Sequence, residues 1–376
     1  MIGPVTGDMN PGTDPMAGSA AAAEVVVIGG GQSALAAGYY LRRADADFVI
    51  LDAAPGAGGA WRHGWDSLRL FSPARYSPLP GWWMPDQPGE QFPTAGHVRQ
   101  YLADYETRYA LPLRRPVEVT AVTATNDALA VQTAAGTVWS ARAVISATGT
   151  WRRPSWPRYP GADRFTGTQL HTVSYRRPDP FAGHRVVVVG GGNSAAQILA
   201  EVATVADATW VTVRPPRFLP DDVDGRVLFD VATRRQAALR AGHSDPGGVT
   251  ALGDIVITPG VRAARDRGAL ARRPMFDRLT PTGVAWADGR EQPADTIIWC
   301  TGFRPDLDHL APLALDRTDG IPRTAGTRSV DEPRLHLLGY GDWTGAASAT
   351  LIGAARTAKG CVTDLLHHLR AGSPAQ

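Results

Sequence analysis

Cysteine is scarce in these 376 residues: Cys300 and Cys361 stand far apart and outside any CxxC spacing. That argues against a disulfide framework and a thiolate metal knot, so no metal site is expected, and it removes the paired redox thiols that many reductases need. Lysine is almost missing too, with Lys359 alone among 38 basic residues, and the formal charge is only +2. The arginines reflect base composition more simply than a phosphate-binding surface, and a nucleic-acid partner is not expected. No apolar run approaches the roughly 18 residues of a membrane span. The stretch 1–22 holds no Lys or Arg, so it lacks the basic start of a secretory signal. It reads as a disordered tail, with Met9 or Met16 as alternative starts, and the expected location is cytoplasmic.

What the sequence does hold is one supersecondary unit written twice. Glu24–Ile28 is a β-branched run suited to a central parallel strand; it meets Gly29-Gly30-Gly31-Gln32-Ser33-Ala34, a helical stretch Leu35–Arg43 and a strand Phe48–Leu51 ending at Asp52. Later, Arg185–Val189 leads to Gly190-Gly191-Gly192-Asn193-Ser194-Ala195, a helix Ala196–Ala203 and a strand Thr209–Val213 ending at Arg214. In such a turn the first glycine permits the bend, the second admits a pyrophosphate to the backbone, and a small third residue lets helix and strand pack closely. The helix start then offers unpaired N–H groups and a positive dipole end.

The residue closing each second strand separates the copies. Asp52, 23 positions after Gly29, can accept ribose hydroxyls, whereas the guanidinium of Arg214, with Arg217 as a weaker helper, can pair with a 2′-phosphate. The first turn thus suits FAD and the second NADPH. Gly341-Asp342 could put a carboxylate on the flavin ribitol, ahead of a final helix expected over 348–369 with Leu351, Ile352, Ala355, Ala358, Val362, Leu365 and Leu369 on one face. Asp221, Asp222 and Asp224 read as a capping turn, not a calcium loop, and His367-His368 as the end of the last helix.

The chain resembles the group B flavin-dependent monooxygenases, relatives of the flavin-containing, YUCCA-type and Baeyer–Villiger enzymes. The residues carrying the likeness are Phe165, Gly167, His171 and Tyr175, a fingerprint F-x-G-x-x-x-H-x-x-x-Tyr/Trp just before the second turn. Tyr175, where Baeyer–Villiger enzymes usually have Trp, favours the heteroatom-oxygenating branch. The segments Trp65–Tyr76 and Pro215–Arg226 are similar to bacterial flavin monooxygenases of arsenic-resistance operons.

The resemblance implies an α/β fold of two Rossmann-like domains, the NADPH domain inserted in the FAD domain: 1–22 tail, 23–150 FAD domain, 151–295 NADPH domain, and 296–376 the rest of the FAD domain. It assigns Gly29, Gly31, Gln32, Ser33 and Asp52, then Gly59, Ala60, Trp61 and Arg62, to FAD, with Val119 near adenine. Thr148-Gly149 and Thr301-Gly302 mark crossings where flavin meets nicotinamide. Gly190, Gly192, Asn193, Ser194 and Arg214 fall to NADPH. The candidate catalytic positions are Ser72, His171 and Tyr175, His171 being read as positioning the linker more than donating a proton. Ser72 is only the nearest polar residue in a stretch where animal-type relatives often carry Asn. Trp82 and Trp83 either close a dry site or pack on the surface.

The implied activity is NADPH- and O2-dependent oxygenation of a soft N, S or As atom of a small molecule through a C4a-hydroperoxyflavin. The alternatives are an FAD-containing NADPH reductase or oxidase without oxygen insertion and, further off, an NADPH-sensing binding protein. A homodimer is compatible with all three.

Overall fold

The computed structural model describes residues 20–221, 223, 225–243 and 255–371. Residues 1–19, like Asp222 and Asp224, lie outside it. Four consecutive apolar β-branched residues, Val25–Ile28, cannot present a polar face, and they form the buried end of strand β1 (Ala20–Ile28). This strand starts earlier than expected: Ala20–Ala23 pair with Val138–Ala141, so the last residues of the expected tail belong to the sheet.

After β1 come α1 (Gln32–Arg43), β2 (Phe48–Leu51), α2 (Ala95–Arg108), β3 (Leu113–Arg114), β4 (Val119–Ala124), β5 (Leu129–Thr133) and β6 (Val138–Ser146). In the first sheet β3, β2, β1, β6 and a late strand, Leu335–Leu337, lie side by side and parallel, while β4 and β5 join antiparallel to the first half of β6. The final helix, Leu351–Ala371, packs on α1 through small residues, among them Ala36, Ala37, Ala354 and Ala358, which let the two axes approach. Its buried face runs through Ala354 and Cys361; Ile352 and Ala355 are only half-buried, a rotation from the expected stripe.

The second sheet is wholly parallel. It contains β7 (Thr168–His171), β8 (Arg185–Val189), β9 (Asp207–Thr212), β10 (Arg272–Pro274) and a return strand, Thr296–Trp299, in the order β10-β9-β8-return-β7. Between β8 and β9 runs α3 (Asn193–Val202), and between β9 and β10 run α4 (Gly225–Arg240) and a helix Pro259–Asp266. The return strand corrects the expected boundary at 295. It pairs with β8 and β7, so the chain leaves the second unit only after Trp299. Among the described residues no helix is long and apolar enough to cross a membrane.

Candidate functional site

The two glycine turns are built alike. Gly29 donates its N–H to Leu51 O (2.8 Å) and Gly190 donates to Val211 O (3.0 Å), each tying the turn to the end of the neighbouring strand. Gly29 (φ +105°) and Gly190 (φ +140°) adopt conformations that L side chains rarely take, and a Cβ would lie 2.5 Å from Ala147 O and 2.3 Å from Cys300 O. Around Gly31 and Gly192, by contrast, a Cβ would meet nothing within 4 Å. Neither α1 nor α3 has a side-chain cap or an acidic residue in its first turn, whereas Thr94 and Thr258 cap α2 and the helix Pro259–Asp266. Two helix starts with uncapped N–H groups and open space before them are fitted to phosphate. Ala34 and Ala195, the third members, are fully buried.

Asp52 does not stand free at the end of β2. Its Oδ2 accepts from Arg115 Nε (2.6 Å) and its Oδ1 from the Ala54 N–H (3.2 Å). Arg115 in turn donates to both Glu106 oxygens, at 2.6 and 2.7 Å. The three largely buried side chains carry a net charge of −1, so the site keeps acceptor character toward a ribose and repels a further anion. Val119 is less directly placed: its backbone pairs with Thr133, and it is Val117 whose N–H reaches Asp52 O (2.8 Å).

The long segment after β2 folds back on the first turn. A Cβ at Gly59 would come within 2.7 Å of Gly31 Cα, so a glycine is required where the two backbones touch. Trp61 Nε1 donates to Gln32 Oε1 (2.8 Å), and Gln32 Nε2 donates to Ala349 O (2.7 Å). Ala60 is exposed, while Arg62 is half-buried with a buried Nε that has no hydrogen-bond partner, a donor waiting for an acceptor. Ser33 is buried beneath Gly339, whose Cβ would meet its Oγ at 2.3 Å. Gly341 turns at φ +104°, and Asp342, exposed, accepts the Ala347 N–H (3.2 Å) ahead of the final helix.

At the second turn Asn193 uses its Oδ1 to accept the Val256 N–H (2.8 Å), and Ser194 is half-buried. Arg214 is exposed two residues beyond β9, and no carboxylate among the described residues engages it. Trp210 Nε1 donates to Gly190 O (2.7 Å) and stiffens the turn from below. Asp221 holds Arg262 and Arg265, as a structural acid does.

Two crossings join the units and run antiparallel, bridged at Pro154 and Phe303. Thr148 Oγ1 donates to Asp306 O (2.6 Å), and Thr301 Oγ1 donates to Ser155 O (2.6 Å), so each crossing is tied to the chain around the other. Gly149 and Gly302 both turn with positive φ beside these threonines. A ladder of rings spans them: His63 on Trp151 (6.2 Å), Trp151 on Phe303 (5.0 Å), Phe303 on His171 (5.1 Å) and His171 on Trp156 (5.6 Å). Sequence reasoning missed Tyr340, which precedes the Gly-Asp pair; its hydroxyl meets Ser146 Oγ (2.6 Å), Thr148 Oγ1 (2.7 Å) and the Thr148 N–H (3.1 Å).

The three candidate catalytic side chains are packed instead of presented. Ser72 is buried with its Oγ on Ser77 Oγ (2.9 Å). Tyr175 is 1% exposed and its hydroxyl donates to Glu201 Oε2 (2.8 Å). His171 is fully buried, its Nδ1 accepts the Val173 N–H (3.2 Å), and desolvation lowers its pKa, so it is neutral and fixes the crossing. Ser72 and Tyr175 thus have their hydroxyls engaged inside the fold, with no exposed hydroxyl to present. Trp82 lies on Tyr101 under Arg108, and Trp83 is 71% exposed, so surface packing describes the pair. Cys300 and Cys361 are free, and desolvation raises both thiols to about 12, which leaves no thiolate at neutral pH.

Residues 26–241 match the family described as pyridine nucleotide-disulphide oxidoreductase. A flavin-containing monooxygenase from Stenotrophomonas maltophilia is similar in sequence and structure: 50% identity, 93% of this chain and 99% of that one, TM-score 0.85. The indole-3-pyruvate monooxygenase YUCCA1 of Oryza sativa subsp. japonica is 28% identical over 73% of this chain and 75% of its own. The bacillithiol disulfide reductase of Staphylococcus aureus, at 16% identity and a TM-score of 0.69, shares the fold.

Proposed function

Because the chain belongs to the pyridine nucleotide-disulphide oxidoreductase family and is a flavin-dependent monooxygenase within it, with FAD and NADPH as the cofactors of that group, we propose that its first turn holds FAD, its second holds NADPH, and its product is a small molecule oxygenated on a soft N, S or As atom. The observation that carries the assignment is the contrast at the strand ends: Asp52, inside a cluster of net charge −1, against Arg214, exposed and free of carboxylates among the described residues. An acceptor-rich pocket takes a ribose diol, and a free guanidinium takes a 2′-phosphate.

Bound FAD would take the reducing equivalents of NADPH and activate oxygen, chemistry that belongs to the cofactor. The chain's part is to hold and exclude. Gly31 and Gly192 leave backbone N–H groups open to the two pyrophosphates, and the orphaned Arg62 Nε supplies a further donor at the first. Gln32, Ser33, Gly59, Ala60 and Trp61 line that first site; Asn193 and Ser194 flank the second. Thr148-Gly149 and Thr301-Gly302 keep the crossings in place between the two nucleotides. His171, a neutral imidazole whose Nδ1 accepts the Val173 N–H and whose one proton therefore sits on Nε2, holds position. Cys300 and Cys361 stand far apart and outside any CxxC spacing, so they offer no dithiol relay to a disulfide acceptor.

The test is NADPH oxidation by the yellow protein under ¹⁸O₂ with a panel of amines, thioethers, ketones and trivalent arsenicals, read by product mass. One ¹⁸O atom on N, S or As is the expected result. NADPH consumption with unlabelled substrate and only peroxide or a reduced artificial acceptor would replace this reading with the reductase or oxidase one.

A further inference from the structure

Glu201 sits in the last turn of α3, where the helix dipole disfavours an anion. It makes no ion pair among the described residues. Its two oxygens instead accept from two hydroxyls on different segments: Oε2 from Tyr175 at 2.8 Å, and Oε1 from Ser67. Ser67 belongs to the segment after β2, whose other contacts reach the first turn; Tyr175 closes the fingerprint; α3 begins at the second turn. One carboxylate thus joins three parts of the chain that sequence keeps far apart.

Independent contacts mark the same junction. The Asp66 N–H donates to Arg176 O (2.9 Å). Trp65, though it comes from the first unit's segment, is buried in the second unit's core with Val186, Val188 and Ile198, and its ring meets Tyr175 edge-on at 6.3 Å. Tyr175 stacks on Phe181 (6.0 Å), so its ring cannot swing away, and its buried hydroxyl needs the acceptor that Glu201 provides.

We propose that Glu201 is a positioning residue: it fastens the Trp65–Ser67 segment to α3 through Tyr175 and so fixes how the two nucleotide sites face each other. α3 is a rigid rod of 10 residues. Displacement at its Glu201 end therefore moves Gly192 at the other. The inference rests on the reading that FAD and NADPH occupy the two turns.

The experiment uses the FAD-loaded protein and the variants Glu201→Ala, Glu201→Gln, Tyr175→Phe and Ser67→Ala. Two quantities are read: amide hydrogen exchange across Trp65–Arg69, without NADPH, and single-turnover flavin reduction at saturating NADPH. Glu201→Ala should speed the exchange and slow reduction by about tenfold or more, because misplacement of reacting groups by an ångström is that costly. Its FAD content and NADPH affinity should stay within about twofold, since no contact to either nucleotide is removed. Glu201→Gln, which still accepts from the phenol and can donate to Ser67, should recover most of the rate. Wild-type exchange and reduction in Glu201→Ala, or a change in NADPH affinity alone, would overturn the proposal. If Glu201→Ala does not fold, Tyr175→Phe and Ser67→Ala each cut one end of the tie and must show the same two changes in smaller measure. Should NADPH fail to reduce even the wild-type flavin, the nucleotide assignment fails, while the exchange readout still decides the tie.

Discussion

The two glycine turns share a backbone and differ in what surrounds their middle glycines and closes their second strands. In both, the first glycine is locked between a strand-end carbonyl and the carbonyl of a crossing, Ala147 in one case and Cys300 in the other. The middle glycines part ways: a Cβ at Gly30 would strike Asp52 Oδ2 at 2.1 Å and Arg115 Nη2 at 2.7 Å, while one at Gly191 would meet nothing within 4 Å. The backbone of Gly59 also lies against Gly31, where a Cβ would come within 2.7 Å of its Cα. The motif therefore dictates how the chain turns, and its surroundings dictate what is held and how firmly.

The sharpest test of the shared part is Gly29→Ala beside Gly190→Ala. Each forces a side chain onto a positive φ and into a backbone carbonyl, and each should cost about 3 kcal/mol or more. Thermal melts should fall together; a loss at one turn only would break the equivalence. Next in size is Arg115→Met, which leaves Asp52 and Glu106 facing each other without their cation and should cost about 3–5 kcal/mol. Here the first turn alone should suffer, seen as FAD lost on gel filtration with NADPH binding retained. Arg214→Gln is the complementary cut. A charged hydrogen bond to a 2′-phosphate is worth about 1.5–3 kcal/mol, so the KM for NADPH should rise about 10- to 100-fold, with NADH turnover and FAD content unchanged. Equal losses for both coenzymes would remove Arg214 from the site.

Acid acts on stability and not on one turn's ligand. Desolvation is the main cause that lowers His309 and His336 from 6.5 to about 4 in the folded protein. Between those values the unfolded chain binds more protons, so the stability their neutral burial confers is complete above pH 6.5 and drains away as pH falls toward 4. Both lie outside the second sheet, so FAD release should precede loss of the second unit's structure. The reverse order, followed by flavin fluorescence and far-ultraviolet circular dichroism, would count against this.

Much of this architecture is legible in the chain because parallel strands buried on both faces must be apolar throughout, and Val25–Ile28 and Val186–Val189 are. The glycine turns and Asp52 follow from spacing alone. Arg115 does not: it meets Asp52 only because β3 joins the sheet beside β2, a pairing 63 residues removed. Glu201 looks like any half-exposed helical acid until Tyr175 and Ser67 arrive beside it. Thr296–Trp299 was open to misassignment because an apolar strand carries no mark of the sheet it will enter. A fingerprint match locates Tyr175 in sequence but does not say that its ring turns inward.

The paired crossings have a mechanical meaning. A single connector would let one unit swivel on the other like a ball on a string. Two antiparallel connectors, bridged at Pro154 and Phe303 and stacked ring upon ring, work as a strap hinge. Torsion about the strap would shear Trp151 across Phe303, whereas flexing across it leaves the rings in register. Twist of one unit on the other is therefore resisted where the two rings meet.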